Sequence, residues 1–328
     1  MPEGLVVVTG AGGFIGSNIA CALADDAGVV ACDPFAHEQA WRYLAPARLY
    51  DIVRPQDLLG WLEHQAGRVS AIVHMGAITD TTETDVGKLI DNNIRFTLEL
   101  WQRCAAYGIT FIYASSAATY GQGSNGFRDD DAPEAVAALR PLNAYAWSKH
   151  VVDRRIVDDA AASRPTPPRW AGLRFFNAYG PNEGHKGSMR SVVHQIYPAA
   201  AKGEAVKLFK SDHPEYPDGG QMRDFVYVKD CCAIVRNMLS APTLSGIYNV
   251  GTGRARTFED LATAVFLAVG REPRIEYVDM PEHLRGRYQY FTEADTTKLR
   301  EAGLAPSFHE LEAGVEDYVR TTLEPELS

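Results

Sequence analysis

Tyr145 and Lys149, in NAYAWSK, stand four residues apart, so a helix through them puts a phenol and an ammonium on one face. An ammonium beside a phenol favours the phenolate, which brings the tyrosine towards use as a general base at working pH. A YxxxK pair alone is frequent by chance. Ser116, in the upstream YASSAATYG segment, adds a hydroxyl that can hydrogen-bond a substrate hydroxyl or keto oxygen beside the phenol. Together the three residues suit proton transfer at an alcohol or a ketone.

A second chemical feature lies near the N-terminus. VTGAGGFIGS follows the apolar run Leu5–Val8 and holds Gly10, Gly13 and Gly16 at three-residue intervals. A tight turn, close backbone approach to a pyrophosphate and close packing of helix on strand each call for a glycine. The following helix would aim its N-terminus at phosphate. Asp33 ends the next strand-like run, where a carboxylate can accept hydrogen bonds from a ribose hydroxyl. This reads as a dinucleotide cradle, and Lys149 can then also hold the nicotinamide ribose.

These residues need a frame to position them. The first half alternates strand-like and helix-like segments. The strands expected are Leu5–Thr9, Val29–Cys32, one ending at Leu49 and Tyr50, Ala71–Met75 and Thr110–Ala114. Helical patterns run from Asn18 to Ala24 and from Val86 to Ala106. Such alternation predicts an α/β fold with a doubly wound parallel sheet (Rossmann). After about residue 175 the rhythm changes, and short strands are expected at 207–209, 224–228, 247–250 and 274–278. The expected division is a dinucleotide-binding domain over 1–175 and, over 176–328, mainly a smaller interleaved α/β substrate lobe with some segments returning to the first domain.

Composition narrows the function. The chain has 328 residues, 46% hydrophobic and 23% charged, with net charge −10 and no basic run, which argues against a nucleic-acid partner. Five cysteines without CxxC or metal spacing fit reduced thiols in a cytoplasmic protein, and no metal site is expected. No apolar stretch approaches the length of a membrane span, and no leader pattern precedes the first strand, so neither membrane nor secretion is expected.

GxxGxxG followed by Ser, Tyr and Lys in this order resembles the extended short-chain dehydrogenase/reductase family. TTETD, DNN, YASSAATYG, FFNAYGPNEGHKGSM, RDFVYV, GTGRA and GRYQYFTEAD, in sequence, resemble its ADP-heptose 6-epimerase branch across nearly the whole chain. That resemblance implies oxidation at C6 of the sugar and re-reduction on the opposite face, with a bound NAD(P) that is not consumed. It implies catalytic roles for Ser116, Tyr145, Lys149 and Lys186. On its own chemistry Lys186 reads as a mobile loop lysine between Gly184 and Gly187; the resemblance makes it the second proton-transfer group. The resemblance also implies cofactor contacts from Gly10, Gly13, Phe14, Ile15, Gly16, Asp33, Pro34, Asp51, Ile52, Met75, Gly76, Ala77, Thr79, Asn92 and Ala178. Asparagine in DNN would hold the segment 74–79, while His74 is read as a core histidine. For the substrate it implies Asn177, Ser188, Phe209, Lys210, Ser211, Arg223 and Tyr288, with Gln195 where the family has a histidine. Arg285 and Arg287 are nearby candidates without an assigned role.

Two departures stand out. Asp33-Pro34 replaces the usual Asp-Asn, and no basic residue suited to a 2′-phosphate follows closely, although Arg42 could substitute. This favours NAD over NADP. The stretch SDHPEYPDGGQM is longer than expected. A homo-oligomer is implied by family. The alternatives are another sugar-nucleotide epimerase, such as a UDP-hexose 4-epimerase, and a non-catalytic NAD(P)-sensing protein.

Overall fold

The computed structural model describes residues 4–282 and 288–327; Arg285 and Arg287 lie outside them. Seven strands form the main sheet: β1 (Leu5–Thr9), β2 (Gly28–Cys32), β3 (Leu49–Val53), β4 (Val69–His74), β5 (Thr110–Ser116), β6 (Trp170–Phe175) and, late in the chain, Ile247–Val250. Their order is Ile247–Val250, β6, β5, β4, β1, β2, β3, with every neighbouring pair parallel. The chain therefore reverses its winding between β1 and β4, and a crevice opens at their carboxyl ends, at Thr9 and His74. β1 and β6 are buried along their whole length, as expected for a sheet covered on both faces.

Two differences from the sequence reading have simple causes. The third strand begins at Leu49 rather than ending there, so Asp51 and Ile52 lie inside it. β3 is the sheet's edge, and its alternating exposure does not produce the continuous apolar run that marks the inner strands. β6 escaped notice because Arg174 interrupts it; the structure buries that arginine completely against Asp153. The 86–106 pattern is in fact three pieces: Val86–Leu89, a π-helical turn Ile90–Arg95, and Phe96–Tyr107, which ends at Gly108 in the left-handed conformation. Trp101 packs edge-on against Phe111 and Trp170, which seats that helix on β5 and β6.

The chain divides into two compact units. One comprises 1–175, 231–250 and 296–306; the other comprises 176–230, 251–295 and 307–328. The Ile247–Val250 strand of the main sheet is β10 and belongs to the first unit; the second contains β7 (Asn177–Tyr179), β8 (Val206–Phe209), β9 (Met222–Tyr227), β11 (Ala255–Thr257) and β12 (Ile275–Val278). β9 pairs in parallel with β7 and antiparallel with β11, and β8 pairs in parallel with β12. Among the described residues no helix is long and apolar enough to cross a membrane.

Candidate active site

The glycine loop is shaped by what cannot fit in it. Gly10 has φ +66°, and a Cβ there would lie 2.6 Å from the Gly76 nitrogen. A Cβ on Gly16 would lie 2.0 Å from the Gly10 carbonyl oxygen. Both positions therefore require glycine if turn, helix and neighbouring loop are to touch. Gly13 begins the Phe14–Leu23 helix without a side-chain cap, so the helix dipole faces the turn. Asp33 is buried, and its carboxylate accepts from the Gly12 N–H at 3.0 Å and the Phe35 N–H at 2.7 Å. Gly12 is the glycine the sequence reading passed over: a Cβ there would lie 2.9 Å from Asp33 Oδ1. Its signal was its place in an unbroken GG pair opposite an acidic strand end. Residues present thus fit a dinucleotide. Pro34 is exposed and Phe35 has φ +52°. Arg42 lies over the Trp41 ring, 5.4 Å from its centroid, on an exposed surface. Asp51 accepts from the Trp61 indole N–H at 2.9 Å, and Ile52 beside it is exposed. Phe14 and Met75 are buried, Ile15, Gly76 and Ala77 are half-buried, and Thr79 is exposed.

His74 wires this loop to its neighbours. The Gly76 N–H donates to Thr9 Oγ1 at 3.1 Å, and Thr9 Oγ1 lies 2.6 Å from His74 Nδ1. On the other side His74 Nε2 lies 2.9 Å from Thr97 Oγ1, whose proton goes to the Asn93 carbonyl at 2.7 Å. Counting donors assigns the tautomer: Thr9 donates to Nδ1, and Nε2–H donates to Thr97. The ring is fully buried, and desolvation, with the Lys149 charge adding to it, pulls its pKa down to about 3. The core-histidine reading agrees with this geometry.

Asn93, rather than Asn92, grips the loop after β4. Its side chain accepts from Ile78 N–H at 2.9 Å, donates to the Ile78 carbonyl at 2.9 Å and donates to Ser148 Oγ at 3.0 Å. Asn92 is exposed and donates only back to the Lys88 carbonyl, at 2.9 Å. The correction follows from the π-helical turn, which shifts the facing positions by a fraction of a turn relative to a regular helix. Ser148 in turn donates to the Tyr145 carbonyl at 2.7 Å, so Asn93 links the loop to the Ala144–Ala161 helix.

That helix starts at Asn143, whose side chain accepts from Ala146 N–H at 2.8 Å. It carries Tyr145 and Lys149, both buried. Tyr145 shares a hydrogen bond with Ser116 at the end of β5. The Lys149 ammonium donates to the Ala114 carbonyl at 2.9 Å. Burial raises the Tyr145 pKa, and the Ser116 hydrogen bond only partly offsets it. The sequence reading had the lysine lowering it. Lys149 is itself desolvated, which pulls its pKa to about 8 against the opposing pull of Asp153, and its proton is directed at β5. Serine, tyrosine and lysine are brought together as expected.

The remaining candidates lie in the second unit. Glu183 is buried and accepts from the Ser191 hydroxyl at 2.6 Å and from the Ser191 N–H. These bonds anchor the tight turn Gly184–Met189, in which Gly187 has φ +56°. Lys186 is half-buried there; desolvation lowers its pKa and Glu183 opposes that. Ser188 and Gln195 are exposed, and Gln195 donates to the carbonyls of Ser188 and Arg190, closing the turn. His194, beside Gln195, instead meets the Tyr318 hydroxyl at 2.9 Å. Asn177 is exposed at the start of β7, where the Ala178 N–H donates to the Phe176 carbonyl at 2.8 Å. Phe209 ends β8 edge-on to Tyr288, at 6.1 Å. The buried Arg223 guanidinium sits over Tyr288 at 5.2 Å and Phe258 at 5.6 Å. Lys210 pairs with Asp279 at 3.0 Å, and Ser211 N–H donates to Asp218 at 2.8 Å. The long 211–222 segment contributes His213 and Tyr216 to a ring cluster with Tyr290, which the sequence did not signal.

The glycine-lined switch point and the Ser116–Tyr145–Lys149 cluster belong together in one class of protein. The chain is a member of the NAD dependent epimerase/dehydratase family, whose model matches residues 6–251. Within it the chain is an epimerase, an isomerase. It is 47% identical to the ADP-L-glycero-D-manno-heptose-6-epimerase of Nitratidesulfovibrio vulgaris (strain DP4), over 97% of this chain and 98% of that protein. Its structure is similar to that of the Helicobacter pylori enzyme of the same name, with TM-score 0.77 and 26% identity over 97% of this chain and 96% of that one. It is also similar to a Thermus thermophilus UDP-glucose 4-epimerase solved in complex with NAD, with TM-score 0.72 and 26% identity over 96% and 98%.

Proposed function

We propose that this protein converts ADP-D-glycero-D-manno-heptose to its L-glycero epimer at C6, supplying a precursor of lipopolysaccharide core. Tyr145 takes the proton from the C6 hydroxyl while Ser116 hydrogen-bonds the same oxygen. Lys149 holds the nicotinamide ribose, and the Ser116 hydrogen bond favours the phenolate against burial. A nicotinamide cofactor, when bound, would supply hydride acceptance and, for the return step, hydride donation. Lys186 is the second acid/base group, serving the opposite face of C6. Partial desolvation supports this role, because it makes a lysine easier to deprotonate near neutral pH. Arg223 contacts the diphosphate as a charge-assisted donor, Phe209 and Tyr288 flank the nucleotide, and Asn177, Ser188, Lys210, Ser211 and Gln195 complete the substrate contacts. The first unit holds the dinucleotide and the second mainly the substrate.

The observation that carries the C6 reading is Lys186 within GHKGSM, anchored by a buried Glu183, in a chain nearly half identical to a named heptose epimerase. NAD is the preferred cofactor; in support, the Asp33 carboxylate, held by two backbone N–H groups, ends the second strand and would repel a 2′-phosphate. The protein acts in the cytoplasm as a homo-oligomer on a nucleotide-sugar substrate. The test is incubation with ADP-D-glycero-D-manno-heptose followed by NMR of the C6 configuration. Inversion at C6 is expected; turnover of UDP-galactose in its place would establish a C4 epimerase and overturn the proposal.

A further inference from the structure

We propose that Asp153 is a positioning residue for the catalytic centre: its carboxylate clamps the helix carrying Tyr145 and Lys149 to the strand carrying Ser116, and sets a negative charge one helical turn from Lys149. Asp153 lies one helical turn after Lys149, on the same face, and is fully buried. Its oxygens accept from the Tyr113 hydroxyl at 3.0 Å, the Ser115 hydroxyl at 2.9 Å and Arg174 Nε at 3.1 Å, with Arg174 Nη2 at 3.0 Å. Two of these partners are on β5 and one on β6, where Ser115 and Arg174 are register partners. The residue after Ser115 is Ser116, so one carboxylate sets the distance between the helix of Tyr145 and the strand of Ser116.

Arg174 is less fully bonded, since its buried Nη1 and Nη2 make no hydrogen bond, and it relies on the ion pair and a ring contact. Its guanidinium lies over the Tyr120 ring at 4.8 Å, and Tyr120 donates to Asn249 at 2.7 Å. Burial works against its charge, but Asp153 and Tyr120 more than offset this and keep it protonated. A buried charged pair with this many partners is not explained by stability alone, since apolar residues can fill such a space at no loss. Lys149 provides the reason: it is buried, and Asp153 is the carboxylate that raises its pKa against desolvation. The other ionisable groups facing Lys149 or Asp153 are Tyr145 and His150 on the same helix, His74 on β4, Tyr113 on β5 and Arg174 on β6. Among the described residues, Asp153 is the one that brings negative charge to the lysine.

The inference rests on reading Ser116, Tyr145 and Lys149 as the catalytic centre, and its test is chosen to be separable from that reading. In the cofactor-free protein, the Lys149 amine is titrated by NMR after isotopic labelling of lysine. Asp153→Asn should lower its pKa by about one unit, the size expected for losing an adjacent opposite charge. In the active enzyme the basic limb of the turnover pH profile should move down by the same amount. Asp153→Glu keeps the charge and moves its position, so turnover should fall while the limb stays in place. Asp153→Asn leaves Arg174 buried and unpaired; should it fail to fold, Asp153→Asn with Arg174→Gln removes both charges and should show a smaller downward shift, because losing the Arg174 cation works the other way. An unmoved Lys149 titration in these variants, whatever happens to stability or turnover, would overturn the proposal. Absence of C6 epimerisation by the wild-type protein would instead refute the functional reading and leave the titration result standing.

Discussion

Replacing Asn93 with alanine should damage both the stability and the cofactor site, whereas the same change at Asn92 should do almost nothing. Asn93 makes three side-chain hydrogen bonds at 2.9, 2.9 and 3.0 Å, and its side chain is completely buried. Alanine strands both backbone groups of Ile78 and one acceptor site on Ser148. An unsatisfied buried polar group costs about 1–3 kcal/mol. Ile78 is half-buried, so water restores part of the loss, and the net cost should be about 2–4 kcal/mol. Asn93→Asp should be at least as harmful: it still accepts from the Ile78 N–H but turns an unpaired buried carboxylate towards the Ile78 carbonyl. Asn92 reaches only the Lys88 carbonyl from an exposed position, and its replacement should stay within about 0.5 kcal/mol. Denaturant midpoints followed by circular dichroism measure the stability, and titration with NAD measures the cofactor site. Because Asn93 fixes the 74–79 segment, NAD affinity should fall with stability. An Asn93→Ala variant within about 0.5 kcal/mol of wild type, or an Asn92→Ala variant that loses as much, would refute the argument.

Other consequences are equally direct. Lys186→Ala should lower epimerisation by about 10²–10⁴-fold while leaving NAD binding within about twofold; near-normal activity would remove Lys186 from the mechanism. His74 titrates near 3 when folded but near its ordinary value when unfolded, so below about pH 6.5 the unfolded chain binds the extra proton. Its contribution is therefore constant above that pH, and stability should fall by about 1.4 kcal/mol per pH unit on acidification. His194, held near 4, adds to this, so the check is a flatter acid profile for His74→Gln than for wild type. NAD should bind at least about tenfold more tightly than NADP, and Asp33→Ser should shrink that ratio; equal affinities in the wild type would contradict the role given to Asp33.

Residues that touch one another locally were legible in the chain. Gly10, Gly13 and Gly16 announce a turn that only glycine can make, and the YxxxK interval places Tyr145 and Lys149 on one helix face by geometry alone. Apolar runs marked β1, β2, β4 and β5 because both faces of an inner parallel strand are covered. The reading failed where a partner distant in sequence supplied the reason. β3 looked like a terminus because an edge strand has one wet face, and β6 was hidden by an arginine whose carboxylate is on another element. DNN could not say which asparagine turns inward, since the answer depends on a π-helical turn. Nor could spacing reveal that Lys149 would be desolvated and directed at Ala114, or that Tyr145 would be raised rather than lowered. The sequence by itself determined the glycine turn and the shared helix face of Tyr145 and Lys149, because these follow from backbone sterics and helix period. Only the tertiary structure decided their protonation and their supports, because desolvation and long-range hydrogen bonds exist only once the chain has packed.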